Sequence, residues 1–312
     1  MNCLCCGKSL ESNNRNNWHL ACIKNFFGTT KMPIIDLSSS NKDLLLYGEN
    51  IISNNKSITG VQTKLSLHLS KEKNNYRLTL IGYPFGYILK PETNEYKCIA
   101  RAEHLVMSMA NVCSIKTPLH ALIKLQDNSY AYITKRIDRN ENKKIHMEDF
   151  CQLSNRLTED KYHSSYEQVA KIIDKFASFK NLDKSELFYR LLFCFVTGNS
   201  DMHLKNFSLI EDKNIRLSPF YDLLPVNILI NDSEEVALTL NSKKRNINRN
   251  DFLKYANTIK LEKDIALKLM NKILKKEDDL IKMIDESLLD IELKIKFKKL
   301  MIERFNRLKE KD

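Results

Sequence analysis

Gly198-Asn199-Ser200-Asp201-Met202-His203-Leu204-Lys205-Asn206-Phe207 sets an acid and an amide five positions apart. A phosphotransferase catalytic loop has this Asp-x-x-x-x-Asn form. The carboxylate orients a hydroxyl nucleophile and accepts its proton, and the amide holds a Mg²⁺ ion. Downstream, Leu217-Ser218-Pro219-Phe220-Tyr221-Asp222 follows a short polar stretch and offers Asp222 as a second metal ligand. Two carboxylates and an amide in this order suit phosphoryl transfer, where catalysis is mostly positioning and charge neutralisation.

Taken alone, Asp and Asn are ordinary loop residues, because their side chains bond their own backbone. Further parts in the right order separate this chain from that case. Tyr87-Ile88-Leu89-Lys90 reads as an apolar strand ending in a lysine, and Ile99 to Met107 as a helix carrying Glu103. Kinases pair a strand lysine on the α/β-phosphates with a helix glutamate in this chain order. Lys90 would bridge ATP phosphates and Glu103 would fix it. The usual protein-kinase signatures His-Arg-Asp, Asp-Phe-Gly and Gly-x-Gly-x-x-Gly do not occur in the sequence.

Six stretches, Ser57–Leu65, Tyr87–Pro91, Ala102–His104, Tyr132–Arg139, Gly198–Phe207 and Pro219–Asp222, run in one order that resembles the HipA-like serine/threonine kinases. These are toxins of bacterial toxin–antitoxin systems, and the resemblance covers most of the chain from Ser57 onward. It implies an α+β, two-lobed kinase-like fold that uses ATP and Mg²⁺, with Asp201 as base toward a protein Ser/Thr hydroxyl. Thr59, Gly60, Val61, Gln62, Thr63 and Lys64 would form the loop over the phosphates, where Gly60 permits close backbone approach. Lys135, Arg136 and Ile137 match the segment joining the lobes, whose backbone meets the adenine. His203, Leu204, Lys205 and Asn206 match loop contacts to nucleotide and metal. Asn206 and Asp222 would be the Mg²⁺ ligands, and Tyr221 precedes Asp222 as in the family. Lys205 would neutralise charge on the transferring phosphoryl group. His203 is either a nucleotide contact or a structural hydrogen-bonding histidine.

The family autophosphorylates a serine in the loop corresponding to Ser57, and its short forms carry a second hydroxyl two residues on, here Thr59. Thr59 is β-branched and stiffer at χ1, so Ser57 is expected to be the main site. A phosphate there would repel nucleotide and pull the loop away. Only a short stretch precedes Ser57, where the full-length family toxin has an extra subdomain. The chain therefore resembles the short form, HipT. That implies a HipS-like small antitoxin subunit and a HipB-like DNA-binding antitoxin as partners, with DNA met only through the antitoxin. The implied protein substrate is an aminoacyl-tRNA synthetase, whose phosphorylation stalls translation and growth.

At 312 residues the chain can bury a large core. Hydrophobic content of 43% and charged content of 29% are ordinary for a soluble globular protein. With no bilayer-length apolar run and no signal-peptide pattern, cytoplasmic residence away from membranes is expected. Eight cysteines in this length do not make a disulfide scaffold. Cys98, Cys113, Cys151 and Cys194 lie among apolar residues and read as reduced core thiols. The net charge of +11 invites a nucleic-acid reading. Most of it lies in amphipathic helical patterns from Asn241 to Asp312, where a solvated helix face explains it as well. The run Lys243-Lys244-Arg245 with Arg249 is more concentrated and suits an acidic partner or DNA phosphates.

Three segments are expected: 1–56, 57–139 as a β-rich N-lobe, and 140–312 as a helical C-lobe, with a polar break near Arg139–Lys144. Alternation in Leu65–Leu69 and Arg77–Leu80 predicts strands. Helical patterns begin beyond Glu148 and dominate from Asp251 onward. In the first segment, Cys3-x2-Cys6 and His19-x2-Cys22 have the spacing of a tetrahedral Zn²⁺ set, with Cys5 as a competing thiol; reduced packing thiols are the alternative. A second functional reading follows: a catalytically vestigial, basic zinc-knuckle scaffold that binds nucleic acid or antitoxin.

Overall fold

Alternation sets the first sheet. In Leu65-Ser66-Leu67-His68, the leucines are buried and Ser66 and His68 are half-buried, as one-sided strand burial demands. The structure, a computed structural model, describes residues 2–11, 17–35, 44, 63–72, 75–81, 85–93, 95–140, 143–230 and 232–310. Among these, β1 (Ile34–Ile35), β2 (Leu65–Glu72), β3 (Asn75–Ile81), β4 (Tyr87–Pro91), β5 (His120–Lys124) and β6 (Tyr130–Lys135) form one sheet. Its order is β1-β3-β2-β4-β6-β5. The β1–β3 pair is parallel and the others are antiparallel.

The chain divides into two units, one of Met1–His104 with Pro118–Lys143, the other of Leu105–Thr117 with Lys144–Asp312. In the first, helix α1 (Leu20–Phe27) stops at Gly28, whose φ of 71° is left-handed. Trp18, Phe26 and Phe27 make a ring cluster, and both phenylalanines also meet Tyr87 of β4. Helix α2 (Ile99–Val112) carries Glu103 and His104 in its first turns. A short hairpin of β7 (Arg139–Asn140) and β8 (Lys143–Lys144) falls where the chain passes from one unit to the other.

The second unit is mostly helical: α3 (Phe150–Leu153), α4 (Tyr166–Phe176), α5 (Lys180–Thr197), α6 (Val226–Leu229), α7 (Arg249–Thr258), α8 (Lys263–Leu274), α9 (Glu277–Glu286) and α10 (Ile291–Lys309). The α+β class expected from sequence is the class observed. One departure is a three-stranded sheet, order β11-β10-β9, made by β9 (His146–Asp149), β10 (Ser208–Glu211) and β11 (Ile215–Leu217), in a region read as helical. These strands are too short to show alternation, and β9 pairs with residues far along the chain. Cys98, Cys113, Cys151 and Cys194 are buried free thiols, as expected. No helix of the described residues is long and apolar enough to cross a membrane.

His120 lies buried in the first unit and His104 half-buried beside it, with ring centroids 5.3 Å apart. Burial, helped by neighbouring His120, pushes His104 down to about 3. Burial pushes His120 down to about 4, against the lift from its bond to the Pro118 carbonyl. Both are therefore neutral in the folded chain, while unfolded imidazoles titrate near about 6.5. Below that pH the unfolded state takes up protons that the folded state refuses, so stability falls with acidification until the folded values are reached. Urea midpoints measured from about pH 7 to about pH 4.5 should decline, and His104→Gln should flatten the decline.

Candidate active site

Gly198 fixes where the loop begins. It ends α5 at φ 67°, and a Cβ there would stand 3.0 Å from Leu300. Its carbonyl accepts the Asn227 N–H at 3.0 Å, while Asn199 N–H returns to Cys194 O at 2.9 Å. Met202, Leu204 and Phe207 then sink into the core, leaving Asp201 just before them half-exposed. The Asp201 carbonyl accepts from Asn206 Nδ2 at 2.8 Å and from His203 N–H at 2.9 Å. The Asp201 N–H donates to Asn199 Oδ1 at 3.2 Å. Asp201 and Asn206, five apart in sequence, are thus bonded to each other. With its nitrogen engaged, the buried Asn206 amide has its oxygen to offer, the atom a hard cation takes.

The Asp201 carboxylate accepts a 2.5 Å hydrogen bond from the Tyr162 hydroxyl. Burial first, and then the Asp201 carboxylate, raise the Tyr162 phenol above its usual range, so it stays a donor. His203 is buried, edge-on to the Tyr162 ring at 4.9 Å, with Nε2 3.9 Å from Asp201 Oδ1. Lys205 Nζ donates to Asp149 Oδ2 at 3.1 Å. Asp149 also caps α3 by accepting the Gln152 N–H at 2.9 Å.

Asp222 lies at the end of a segment held at several points. Ser218 N–H donates to Ser208 O, Phe220 N–H to Lys116 O, and Arg190 to Ser218 O at 2.7 Å. Tyr221 accepts from Ser208 Oγ at 2.6 Å and donates to Lys205 O at 3.3 Å, tying this segment to the loop. Burial, and further the Asp222 and Asp149 carboxylates, raise its phenol. Asp222 itself has φ 61°, a conformation that costs a non-glycine residue energy and that clusters at functional sites.

In the first unit, Lys90 Nζ and Glu103 Oε1 are 2.5 Å apart, and both side chains are almost fully buried. The Lys90 ammonium also lies 5.4 Å from the Tyr132 ring centroid, its cross-strand neighbour on β6. Thr63 is buried and Lys64 exposed where the chain enters β2. Ser57 and Thr59, Gly60, Val61 and Gln62 lie outside the described residues. The N–H groups of Lys135 and Arg136 donate to Leu119 O and Gly86 O, so either residue would meet a base through other atoms. The Arg136 guanidinium is clamped on Asp138. Cys3, Cys6, His19 and Cys22 come together in the same unit.

Tyr162 and Asp149 escaped the sequence reading. Tyr162 lies 39 residues before Asp201, and no spacing rule links them. Asp149 looks like a helix cap, which it also is.

The family described as the HipA-like C-terminal domain matches residues 56–281. A Haemophilus influenzae protein named "Putative kinase" is 31% identical over 187 residues, covering 55% of this chain and 53% of its own. The Sinorhizobium fredii protein "Putative kinase Y4dM" is 30% identical over 205 residues, 61% of this chain and 49% of its own. The chain thus spans about half the length of these curated relatives. The fold is similar to that of HipA in the Shewanella oneidensis toxin–antitoxin complex of HipA, HipB and operator DNA. The TM-score is 0.68 at 20% identity, over 81% of this chain and 65% of the other. It is also similar to the Helicobacter pylori proinflammatory kinase CtkA, with TM-score 0.52, 16% identity, and 77% and 93% coverage.

Removing one partner of the Lys90–Glu103 pair leaves a buried, uncompensated charge. Lys90→Met or Glu103→Leu alone should therefore cost about 3–5 kcal/mol, and the double variant should recover most of it. Urea unfolding of the four proteins reads this directly; additive losses would show that the two groups do not act as a unit.

Proposed function

This chain belongs to the HipA-like family, and on that premise we propose that it is an ATP-dependent protein serine/threonine kinase of a toxin–antitoxin system. The observation that carries the proposal is Asp201, whose backbone carbonyl is fixed by Asn206 and whose carboxylate already receives a hydroxyl's hydrogen bond at 2.5 Å. A carboxylate so placed can orient an acceptor hydroxyl and take its proton.

The residues fit a magnesium nucleotide. The Asn206 amide oxygen and the Asp222 carboxylate are hard oxygen donors, the kind Mg²⁺ takes. Bound Mg²⁺-ATP supplies the γ-phosphoryl group and the cation that neutralises developing charge. Lys90, oriented by Glu103, holds phosphate oxygens. Lys205 stands ready to exchange its Asp149 partner for a phosphoryl oxygen. Asp201 receives the proton of the acceptor hydroxyl. The Tyr162 hydroxyl occupies the place where that acceptor would bond.

The finer reading is that Ser57, and secondarily Thr59, accept phosphate within the chain, as they would in the short HipT form. It includes an aminoacyl-tRNA synthetase as target and HipS-like and HipB-like antitoxins as partners. The similarity to HipA, found in a complex with HipB and operator DNA, supports an antitoxin partner. The nucleic-acid scaffold reading gains little from the basic run, because Lys243 is paired with Asp251 and Lys244 with Glu234.

Transfer of labelled γ-phosphate in the presence of Mg²⁺ tests the proposal, with peptide mapping to locate it. Asp201→Asn and Asp222→Asn should each lower transfer by about 100-fold or more while thermal unfolding stays near that of the parent. Near-normal transfer by Asp222→Asn would remove its metal role. Tyr162→Phe keeps the ring against His203 and removes the competing hydroxyl, so transfer to a protein acceptor should rise.

A further inference from the structure

We propose that Cys3, Cys6, His19 and Cys22 hold a structural Zn²⁺ ion that fastens the N-terminal module to the free edge of the six-stranded sheet. The four ligand atoms, three sulfurs and the His19 ring nitrogen, all lie within 4.8 Å of one another. His19 Nδ1 is 3.4 Å from Cys6 Sγ and 3.9 Å from Cys22 Sγ. Bonds of about 2.3 Å to sulfur and about 2.1 Å to nitrogen give a tetrahedron with edges of about 3.5–3.8 Å, so the His19 contacts are near that length and the widest pair would close by about 1 Å or less.

The surroundings are those of a ligand set. His19 Nε2 lies 2.9 Å from Ser9 O, and since a carbonyl only accepts, Nε2 carries the proton and Nδ1 presents its lone pair. The His19 N–H points at Cys3 Sγ at 3.4 Å. Cys3 and Cys6 sit on a tight knuckle: Gly7 N–H returns to Cys3 O at 2.9 Å, Cys3 N–H bonds Lys8 O at 2.8 Å, and Gly7 takes φ 71°. The second pair sits at the start of α1, with His19 preceding its first residue and Cys22 one turn in. Three sulfurs and one imidazole select a soft or borderline cation over Mg²⁺ or Ca²⁺. Each thiol that binds gives its proton to solvent.

The module also has a place to go. Among the described residues, β5 lies at the sheet's edge and pairs with β6 alone. Its Leu122 N–H donates to Leu4 O at 2.8 Å, and Leu122 O accepts from Trp18 Nε1 at 3.2 Å. Leu4 lies between two ligands of the set, and Trp18 beside the third. The metal would hold the backbone that satisfies this edge, which would otherwise present unpaired groups. On the far side of the module, Phe26 O accepts the Tyr87 hydroxyl on β4, the strand of Lys90.

Metal analysis of the full chain, purified without chelator, should find about one zinc per molecule, and Co²⁺ loading should give the visible bands of a tetrahedral thiolate site. Trp18 is the single tryptophan, so its emission reports on the module. A strong chelator should shift that emission to the red, and zinc should restore it. Cys6→Ser, at an exposed position, should lose the metal, whereas Cys5→Ser should keep it. Absence of zinc after loading, retention of full zinc by Cys6→Ser, or loss of it by Cys5→Ser would overturn the proposal. These readouts stand apart from phosphate transfer.

Discussion

The end of α5 is the constraint on which the second unit depends. From Leu187 to Thr197 every residue of that helix is buried, so it has no exposed side on which to slide. Whatever follows its last turn inherits that fixed position. Gly198 then turns the chain at a left-handed φ with Leu300 of α10 pressed against the space a side chain would need. α10 is held there in turn: Glu235 bonds both Arg304 and Arg307, and each guanidinium lies over the Phe195 ring of α5. The site loop is therefore placed by packing and held in shape by backbone bonds together with the Asn206 side-chain bond to the Asp201 carbonyl.

The first unit solves a harder electrostatic problem. Lys90 and Glu103 are both buried, and such a pair is stable only while its partners are complete and no further charge intrudes. The nearby groups respect this. Tyr132 offers the face of its ring to Lys90, and His120 stacks on that ring at 6.2 Å. His104 follows next in line, and burial keeps both imidazoles neutral. On the proposed reading, a lysine that meets phosphates is better served by neutral rings behind it than by imidazolium ions.

Local spacing is what made parts of this arrangement readable. Asp201 and Asn206 are neighbours in one loop, and Cys3, Cys6, His19 and Cys22 form two x2 pairs, so the sequence carries their geometry almost directly. Lys90 and Glu103 are 13 apart, yet a strand followed by a helix brings them together in a familiar way. β9 was hidden because it pairs with β10 some sixty positions on, and the β10–β11 hairpin because its strands are only three or four residues long. Tyr162 was hidden for the same reason as β9, since it meets Asp201 only after α4 and α5 have folded back between them. The commitment of the Lys135 and Arg136 N–H groups could not be read either, since backbone bonding leaves no trace in side-chain type.

Two metal chemistries would coexist in this chain, and the donor atoms keep them apart. Zinc binds most nitrogen, oxygen and sulfur sites more tightly than magnesium does, so affinity alone would not protect an oxygen site from it. On the proposed reading, the Asn206 amide oxygen and the Asp222 carboxylate would be a sparse, hard donor set whose cation would need further ligands from the nucleotide and water. Cys3, Cys6, His19 and Cys22 would instead supply four ligand atoms from the protein alone, three of them soft sulfurs. A site complete in the protein alone holds its ion permanently, as a structural brace must. A site that needs its substrate to finish the coordination shell holds its ion only while substrate is present, as a turnover metal must. The difference lies in ligand number as much as in ligand softness, and both are set by the residues at these positions.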